Sequence, residues 1–320
     1  MTRLLMTRRE FLALNSAAPF ARMIPLRTDS PARPLRLAVI ADLHHGLAPD
    51  ALSRLQAFVD AAQKRQGIDA IIQLGDFNFS QSTSKECIDL FNQLPHPKLH
   101  VLGNHDMDKC DKATAMSFWG MKARYGAQSM HGYRFIVLDL NHFKKDGKLY
   151  EYANGNYFAA GASCNWAGPE QLDWLTQELH KSKEPVILLS HQPLGFAEPN
   201  QPIPPEQQEV LKIVDEAAKA NPRGAVAVSM FGHLHVDRLE RVSGVPYYCV
   251  NSASYFWYQG MRAYTKPLYA FMELGTDGVL KVEGMVGEFA TPPPRESDNV
   301  PGRSASIQPR GIGMRTSISG

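Results

Sequence analysis

Leu35-Arg36-Leu37-Ala38-Val39-Ile40-Ala41-Asp42-Leu43-His44 decides how this chain is read. A mostly apolar run of strand length ends abruptly on two cation-binding side chains, Asp42 and His44. A run that is apolar at nearly every position, rather than at alternate ones, fits a strand buried on both faces. The same pattern recurs along the chain. Ala70-Ile71-Ile72-Gln73-Leu74 runs into Gly75-Asp76, and Leu99-His100-Val101-Leu102 runs into Gly103-Asn104-His105-Asp106. Val186-Ile187-Leu188-Leu189 precedes His191, and Ala225-Val226-Ala227-Val228 precedes Gly232-His233-Leu234-His235. Between the first three runs, residues 50–65 space Leu52, Leu55, Phe58, Val59 and Ala62 as on a helix. Residues 84–94 do the same with Cys87, Ile88, Phe91 and Leu94. This rhythm implies parallel strands joined by crossover helices. Ligands of such sheets gather outside the carboxyl ends of the strands, so five strand ends deliver metal-type side chains to one edge.

Outward from this frame the rhythm becomes mixed. Tyr133 to Asp139 reads as a strand, and Pro169 opens a helix carrying Leu172, Leu175 and Leu179. Residues 141–167, rich in Asn, Gly, Lys and Tyr, form a long irregular stretch. Connections of that length are usually functional or disordered. Lys144, Lys145, Tyr150, Tyr152, Asn154, Asn156 and Tyr157 would make it either a lid over an anionic substrate or a solvated loop. From Val236 to about Val286 short alternating segments suggest antiparallel strands closing a second sheet. The aromatic run Tyr255-Phe256-Trp257-Tyr258 reads as core packing, with ring stacking on a ligand as the other reading. Residues 291–320 turn to Pro, Arg, Ser and Gly without periodicity and are expected to be a disordered tail.

At the other end, Thr7-Arg8-Arg9-Glu10-Phe11-Leu12 resembles a twin-arginine export signal. The weakly apolar stretch that follows, residues 11–24, is too short and too polar to span a bilayer. Ser30-Pro31-Ala32-Arg33-Pro34 is a linker. The expected organisation is signal and linker over 1–34, one domain over 35–290 and the tail over 291–320. The signal would engage the bacterial twin-arginine machinery and place the protein in the periplasm or outside the cell. Otherwise the segment is the basic N-terminus of a cytoplasmic protein. That route carries folded proteins, which suits one that loads metal first.

Composition narrows the partners. Hydrophobic residues make up 44% of 320, enough for a sizeable core, and the net charge is +2 without a block of like charge. Nothing in this balance supports a nucleic-acid or membrane-surface partner. The four cysteines, Cys87, Cys110, Cys164 and Cys249, form no CxxC pair. They allow two disulfides, in three connectivities, or four separate thiols.

The donor set is two Asp, one Asn and four His, with no thiolate. Seven donors are too many for one tetrahedral ion and fit two ions bridged by a carboxylate. Alternation along an extended segment would aim both side chains of Asp42-x-His44, and of His233-x-His235, to one side. Each motif alone is commonplace as a turn or a surface pair; five in this order, each after a buried run, are not.

Together these motifs resemble the signature of calcineurin-like metallophosphoesterases over about residues 35–290. The resemblance implies an α/β fold of two packed mixed β-sheets flanked by helices, a four-layer αββα sandwich. By position, Asp42, His44 and His235 would hold one ion, Asn104, His191 and His233 the other, and Asp76 would bridge. His105 would act on the substrate, and Asp106 would either orient His105 or cap the turn. His45 would point away from the centre. The implied reaction is hydrolysis of a phosphorylated small molecule by a metal-bridging hydroxide, with Mn, Fe and Zn all compatible. Purple acid phosphatases differ: they place Gly where His44 stands and Tyr where Phe79 stands, so no iron–tyrosinate is expected here. Class III cyclic-nucleotide phosphodiesterases share the motifs. The alternative, an inactive scaffold on the same fold, would be expected to have lost a donor or His105. A β-lactamase-like dinuclear hydrolase would need a compact His-x-His-x-Asp-His cluster, which this chain lacks.

Overall fold

A computed structural model describes residues 33–315. The twin-arginine stretch lies outside the described residues. Strand β1 (Leu35–Ile40), helix α1 (Ala51–Lys64), β2 (Ala70–Gln73), α2 (Lys85–Asn92) and β3 (Lys98–His100) follow one another as expected. Then come α3 (Lys112–Trp119), β4 (Gly126–Met130), β5 (Tyr133–Val137), and the hairpin β6 (His142–Lys145) and β7 (Lys148–Glu151). Next are α4 (Pro169–Lys181), β8 (Val186–Leu189), α5 (Pro205–Ala220) and β9 (Val226–Phe231). Six short strands and one late one complete the chain: β10 (Arg238–Val242), β11 (Val245–Cys249), β12 (Tyr255–Trp257), β13 (Met261–Ala263), β14 (Ala270–Leu274), β15 (Val279–Gly284) and β16 (Arg310–Gly313).

Two six-stranded mixed sheets form, in the orders β16-β15-β14-β1-β2-β3 and β10-β11-β9-β8-β5-β4. Alternate residues of β1 explain the layering. Leu35, Leu37 and Val39 pack with Ile187 and Val228 of the other sheet, whereas Ala38 and Ile40 pack with Leu55, Phe58 and Val59 of α1 and with Phe91 of α2. On the far side of the second sheet, Leu175 and Leu179 of α4 and Val210 and Val214 of α5 join the core. The expected four-layer αββα sandwich is therefore the observed fold. Since both faces of β1, β2, β8 and β9 are covered, their sequences are continuous apolar runs.

Three expectations are corrected. Residues 141–167 are not structureless: β6 and β7 pair through the register His142↔Glu151 to Lys145↔Lys148. Residues 291–315 are not a disordered tail. A 3-10 segment spans Arg295–Asn299, Ile307 and Ile312 are fully buried, and β16 pairs with β15. Residues 236–286 do not close one antiparallel sheet: β11 runs parallel to β9, and β14 and β15 return to the first sheet beside β1. The cysteines are all free thiols.

Candidate metal centre

The five motifs lie just past β1, β2, β3, β8 and β9, and their loops lock into one another. Asp42 N–H donates to Gly75 O at 3.1 Å, and His44 N–H to Asp76 O at 2.9 Å. His105 N–H donates to Asp76 Oδ1 at 2.7 Å, and His233 N–H to Asp42 Oδ1 at 3.0 Å. The loops approach so closely that the motif glycines Gly75, Gly103 and Gly232 admit no side chain. A Cβ on Gly103 would overlap the Asp76 backbone and carboxylate, and one on Gly232 would overlap the Asp42 carboxylate. Gly103→Ala is therefore expected to displace Asp76 and lower metal occupancy, read by metal analysis of the purified variant. Full occupancy would show that the loops can give way.

The side chains converge, but not through strand alternation. Asp42 (φ 50°), His44 (φ 53°), Asp76 (φ 49°), His233 (φ 68°) and His235 (φ 52°) all sit in the left-handed region. Asp, Asn and His tolerate that region better than bulky or branched residues, and such outliers gather at functional sites. Each backbone reversal turns a side chain inward where a straight strand would carry it past.

Two donor groups result. In the first, His44 Nε2 lies 3.0 Å from His235 Nε2, and Asp42 Oδ1 lies 3.3 Å from His235 Nε2 and 4.0 Å from His44 Nε2. In the second, His191 Nε2 lies 3.0 Å from Asp76 Oδ2 and 3.2 Å from His233 Nδ1. Asp76 Oδ2 also stands 3.8 Å from His44 Nε2, so this carboxylate links the groups. Donors bound to one ion at ~2.0–2.2 Å are spaced about this far apart. Asn104 fits the set for another reason. It is buried, and its Oδ1 has no hydrogen-bond partner within the protein. An acceptor so left costs about 1–3 kcal/mol unless something else meets it. His191 Nδ1–H donates to Leu74 O at 2.7 Å and His235 Nδ1–H to Tyr255 O at 2.8 Å. These bonds fix the tautomer that leaves Nε2 free to ligate. The residues present therefore fit two ions.

Electrostatics agree. Burial, opposed by Asp76, holds His44 well below its ordinary value. Burial and the neighbouring His191 push His233 down to about 3, so both rings are neutral donors at pH 7. Burial would raise Asp76, but His191, His105 and His44 hold it well below the usual carboxylate range. Burial would lower His191, yet Asp76 and Asp42 raise it to about 9. Without an ion this ring keeps a proton, and an ion binding at its Nε2 would have to displace it.

His44, Asp76 and His105 form a third close group that reuses two donors of the others. His105 differs from the ligands in how it is held. Its Nδ1 meets Asp108 Oδ2 at 2.7 Å and the Tyr157 hydroxyl at 2.9 Å, and that hydroxyl also donates to Asp108. Burial would lower its pKa, but Asp76 and Asp108 raise it above the ordinary value. Asp106 takes no part in orienting His105. Its Oδ1 accepts from Phe77 N–H at 2.8 Å and Asn78 N–H at 3.1 Å, and its Oδ2 from Gly103 N–H at 2.8 Å. Of the two roles expected for Asp106, the geometry supports the cap, which ties the loops after β2 and β3 together. Asp108 and Tyr157 were missed as partners of His105. The signal for Asp108 was present, because His105–Met107 is a 3-10 turn and side chains three apart eclipse there.

The other candidates divide. His45 stays out of the centre, 3.6 Å from Glu86. Among the described side chains of residues 141–167, Tyr157 reaches a site residue. Lys144 sits over the Trp166 ring, Tyr152 is buried, and Asn156 accepts from Ala153 N–H within its own loop. Tyr255 and Phe256 are core residues, whereas Trp257 is exposed.

Comparisons with known proteins agree with this geometry. The family model described as calcineurin-like phosphoesterase matches residues 35–237. A probable cyclic nucleotide phosphodiesterase of Synechococcus is 27% identical over 173 residues, covering 50% of this chain and 58% of that protein. The chain thus spans well under two thirds of this curated relative's length. A dimetal phosphatase from Danio rerio shares the fold at a TM-score of 0.56 and 16% identity, over 80% of this chain and 96% of that one. A purple acid phosphatase of yellow lupin seeds does so at 0.52 and 12%, over 80% and 52%. With the family model spanning every one of the five motifs, the chain belongs to the calcineurin-like phosphoesterase family.

Proposed function

We propose that this chain hydrolyses phosphoester bonds of small organic molecules at a two-metal centre. The observation that carries the reading is the pair of donor groups linked by Asp76, together with the unsatisfied oxygen of the buried Asn104. Asp42, His44 and His235 would hold one ion, Asn104, His191 and His233 the other, and Asp76 would bridge. When bound, such a pair supplies a hydroxide at neutral pH and charge neutralisation at the phosphoryl oxygens. The protein supplies the rest. His105, whose pKa Asp76 and Asp108 raise against the lowering effect of burial, donates a proton to the leaving-group oxygen. Asp108 and Tyr157 hold its Nδ1, so the ring keeps one orientation. The name of the Synechococcus relative favours diesters. An inactive scaffold could have lost a donor, yet all seven and His105 are in place.

The test is to load the protein with Mn²⁺, Fe²⁺ or Zn²⁺, count ions per chain, and assay bis-p-nitrophenyl phosphate, p-nitrophenyl phosphate and a nucleoside diphosphate. Two bound ions with turnover of one class is the expected result. Two bound ions with no turnover of any would sink the proposal. We also propose, from Arg8 and Arg9, export by the twin-arginine route. Replacing both by Lys should hold the protein in the cytoplasmic fraction; unchanged fractionation refutes it.

A further inference from the structure

The β12–β13 hairpin carries one face that begins inside the centre and ends in solvent. Side chains two apart on a strand share a face, so Tyr255 and Trp257 lie together. The register sets Trp257 opposite Met261 and Tyr255 opposite Ala263. At the inner end the buried Tyr255 ring lies 5.1 Å from the His44 ring and 4.8 Å from the His235 ring. At the outer end Trp257 is 60% exposed and Met261 42% exposed. The Trp257 ring lies 6.2 Å from that of Tyr255. The face is thus continuous from two metal-donor imidazoles to an open indole and thioether. The hairpin itself is firmly seated. Phe256, on the opposite face, is buried with its ring 6.2 Å from that of Phe289, and Tyr264 N–H donates to Ser254 O at 3.2 Å.

A single exposed apolar side chain is ordinary. Two directly opposite each other, adjoining a polar centre, make a ledge with a use: an indole offers a flat face to a ring, and a thioether contacts ring edges favourably. We propose that Trp257 and Met261 form a stacking wall for a planar aromatic ring carried by the substrate's phosphoryl group. The proposal rests on the phosphoesterase reading and adds the substrate class to it. A phosphoryl group held at the donors directs its organic part along Tyr255 to the ledge. Substrates without a ring gain nothing there.

Phosphonates, which are not hydrolysed, separate the two readings. Calorimetry of metal-loaded protein with methylphosphonate, phenylphosphonate and an adenine-bearing phosphonate measures what the ring adds. A ring stacked on one aromatic side chain adds roughly tenfold in affinity, so at least one ring-bearing ligand should bind about tenfold tighter than methylphosphonate. In Trp257→Ala that ratio should fall to within about twofold, and Trp257→Phe should restore most of it. A stronger adenine ligand identifies the ring as a nucleobase, and a stronger phenyl ligand identifies an aryl group. Equal binding of all three to the wild type, or a ratio that survives Trp257→Ala, overturns the ledge. If p-nitrophenyl esters are still hydrolysed in that case, the ledge alone has failed. If no phosphonate binds and no ester is cleaved with two ions per chain, the phosphoesterase reading fails and takes the ledge with it.

Discussion

His105→Ala is expected to lower kcat by about 10²–10⁴-fold while metal content stays at the wild-type value. His105 is aimed at the centre but tethered outside it. Its ring lies 5.1 Å from that of His44, and its Nδ1 is taken up by Asp108 and Tyr157. A ligand would be lost together with an ion; a proton donor would be lost without one. Metal analysis of the variant therefore decides between the roles. Loss of one ion would make His105 a ligand, and unchanged kcat would remove it from the chemistry altogether. The pH profile gives a second reading. The donor must be protonated, so activity falls as pH rises past its pKa. Asp108 is one of the groups that raise that pKa, so Asp108→Asn should move the alkaline limb to lower pH. A profile that does not move would leave Asp108 a merely structural neighbour.

Removal of residues 291–320 is expected to prevent stable folding. The segment supplies β16, the edge of the first sheet, and buries Ile307 and Ile312 in the central core. Each such side chain contributes about 1.5–3 kcal/mol. It also supplies Gln308 N–H, at 2.9 Å, and the Arg310 guanidinium to Asp237 Oδ2. Asp237 is two residues beyond the donor His235 and is mostly buried, and that burial raises its carboxyl pKa. Leaving such a carboxylate without its cation, with only the Tyr248 hydroxyl still donating to its Oδ1 at 2.9 Å, costs up to about 3–5 kcal/mol. Against a typical stability of 5–15 kcal/mol the sum is decisive. Arg310→Ala, which removes one partner only, should lower Tm by several degrees and remain soluble. A truncated protein ending at 290 with wild-type Tm would show that the segment is dispensable.

Composition alone makes this segment resemble a tail. β16 is Arg-Gly-Ile-Gly, one apolar residue among four. An edge strand is held by backbone pairing, which leaves little mark on composition. The β6–β7 hairpin is hard to read for the same reason. By contrast α5, with Pro205 at its start and Val210, Val214, Ala217 and Ala218 buried, carries a plain helical pattern and a start signal. The donors were legible because β1, β2, β8 and β9 are buried on both faces, so their ends stand out against apolar runs. Which donor would serve which ion is implied by the family resemblance and not by any local pattern in the sequence. What neighbours the ligands does not follow: Tyr157 reaches His105 from a stretch whose path no local pattern sets. Even the true reason for convergence, a left-handed backbone in place of alternation, was hidden, because Asp and His do not announce φ as Gly does.

That backbone has a consequence for engineering. A side chain held in the left-handed region costs roughly 1 kcal/mol or more relative to glycine. Asp42, His44, Asp76, His233 and His235 all stand there. Glycine at His44 or His233, whose side chains do not brace a neighbouring loop as those of Asp42, Asp76 and His235 do, would relax the bare domain and remove a donor in the same step. A selection for heat resistance without metal would therefore drift toward a tougher protein with an emptier centre. Durability and cation capture are opposed at His44 and His233, and improvement of one must be sought elsewhere in the molecule.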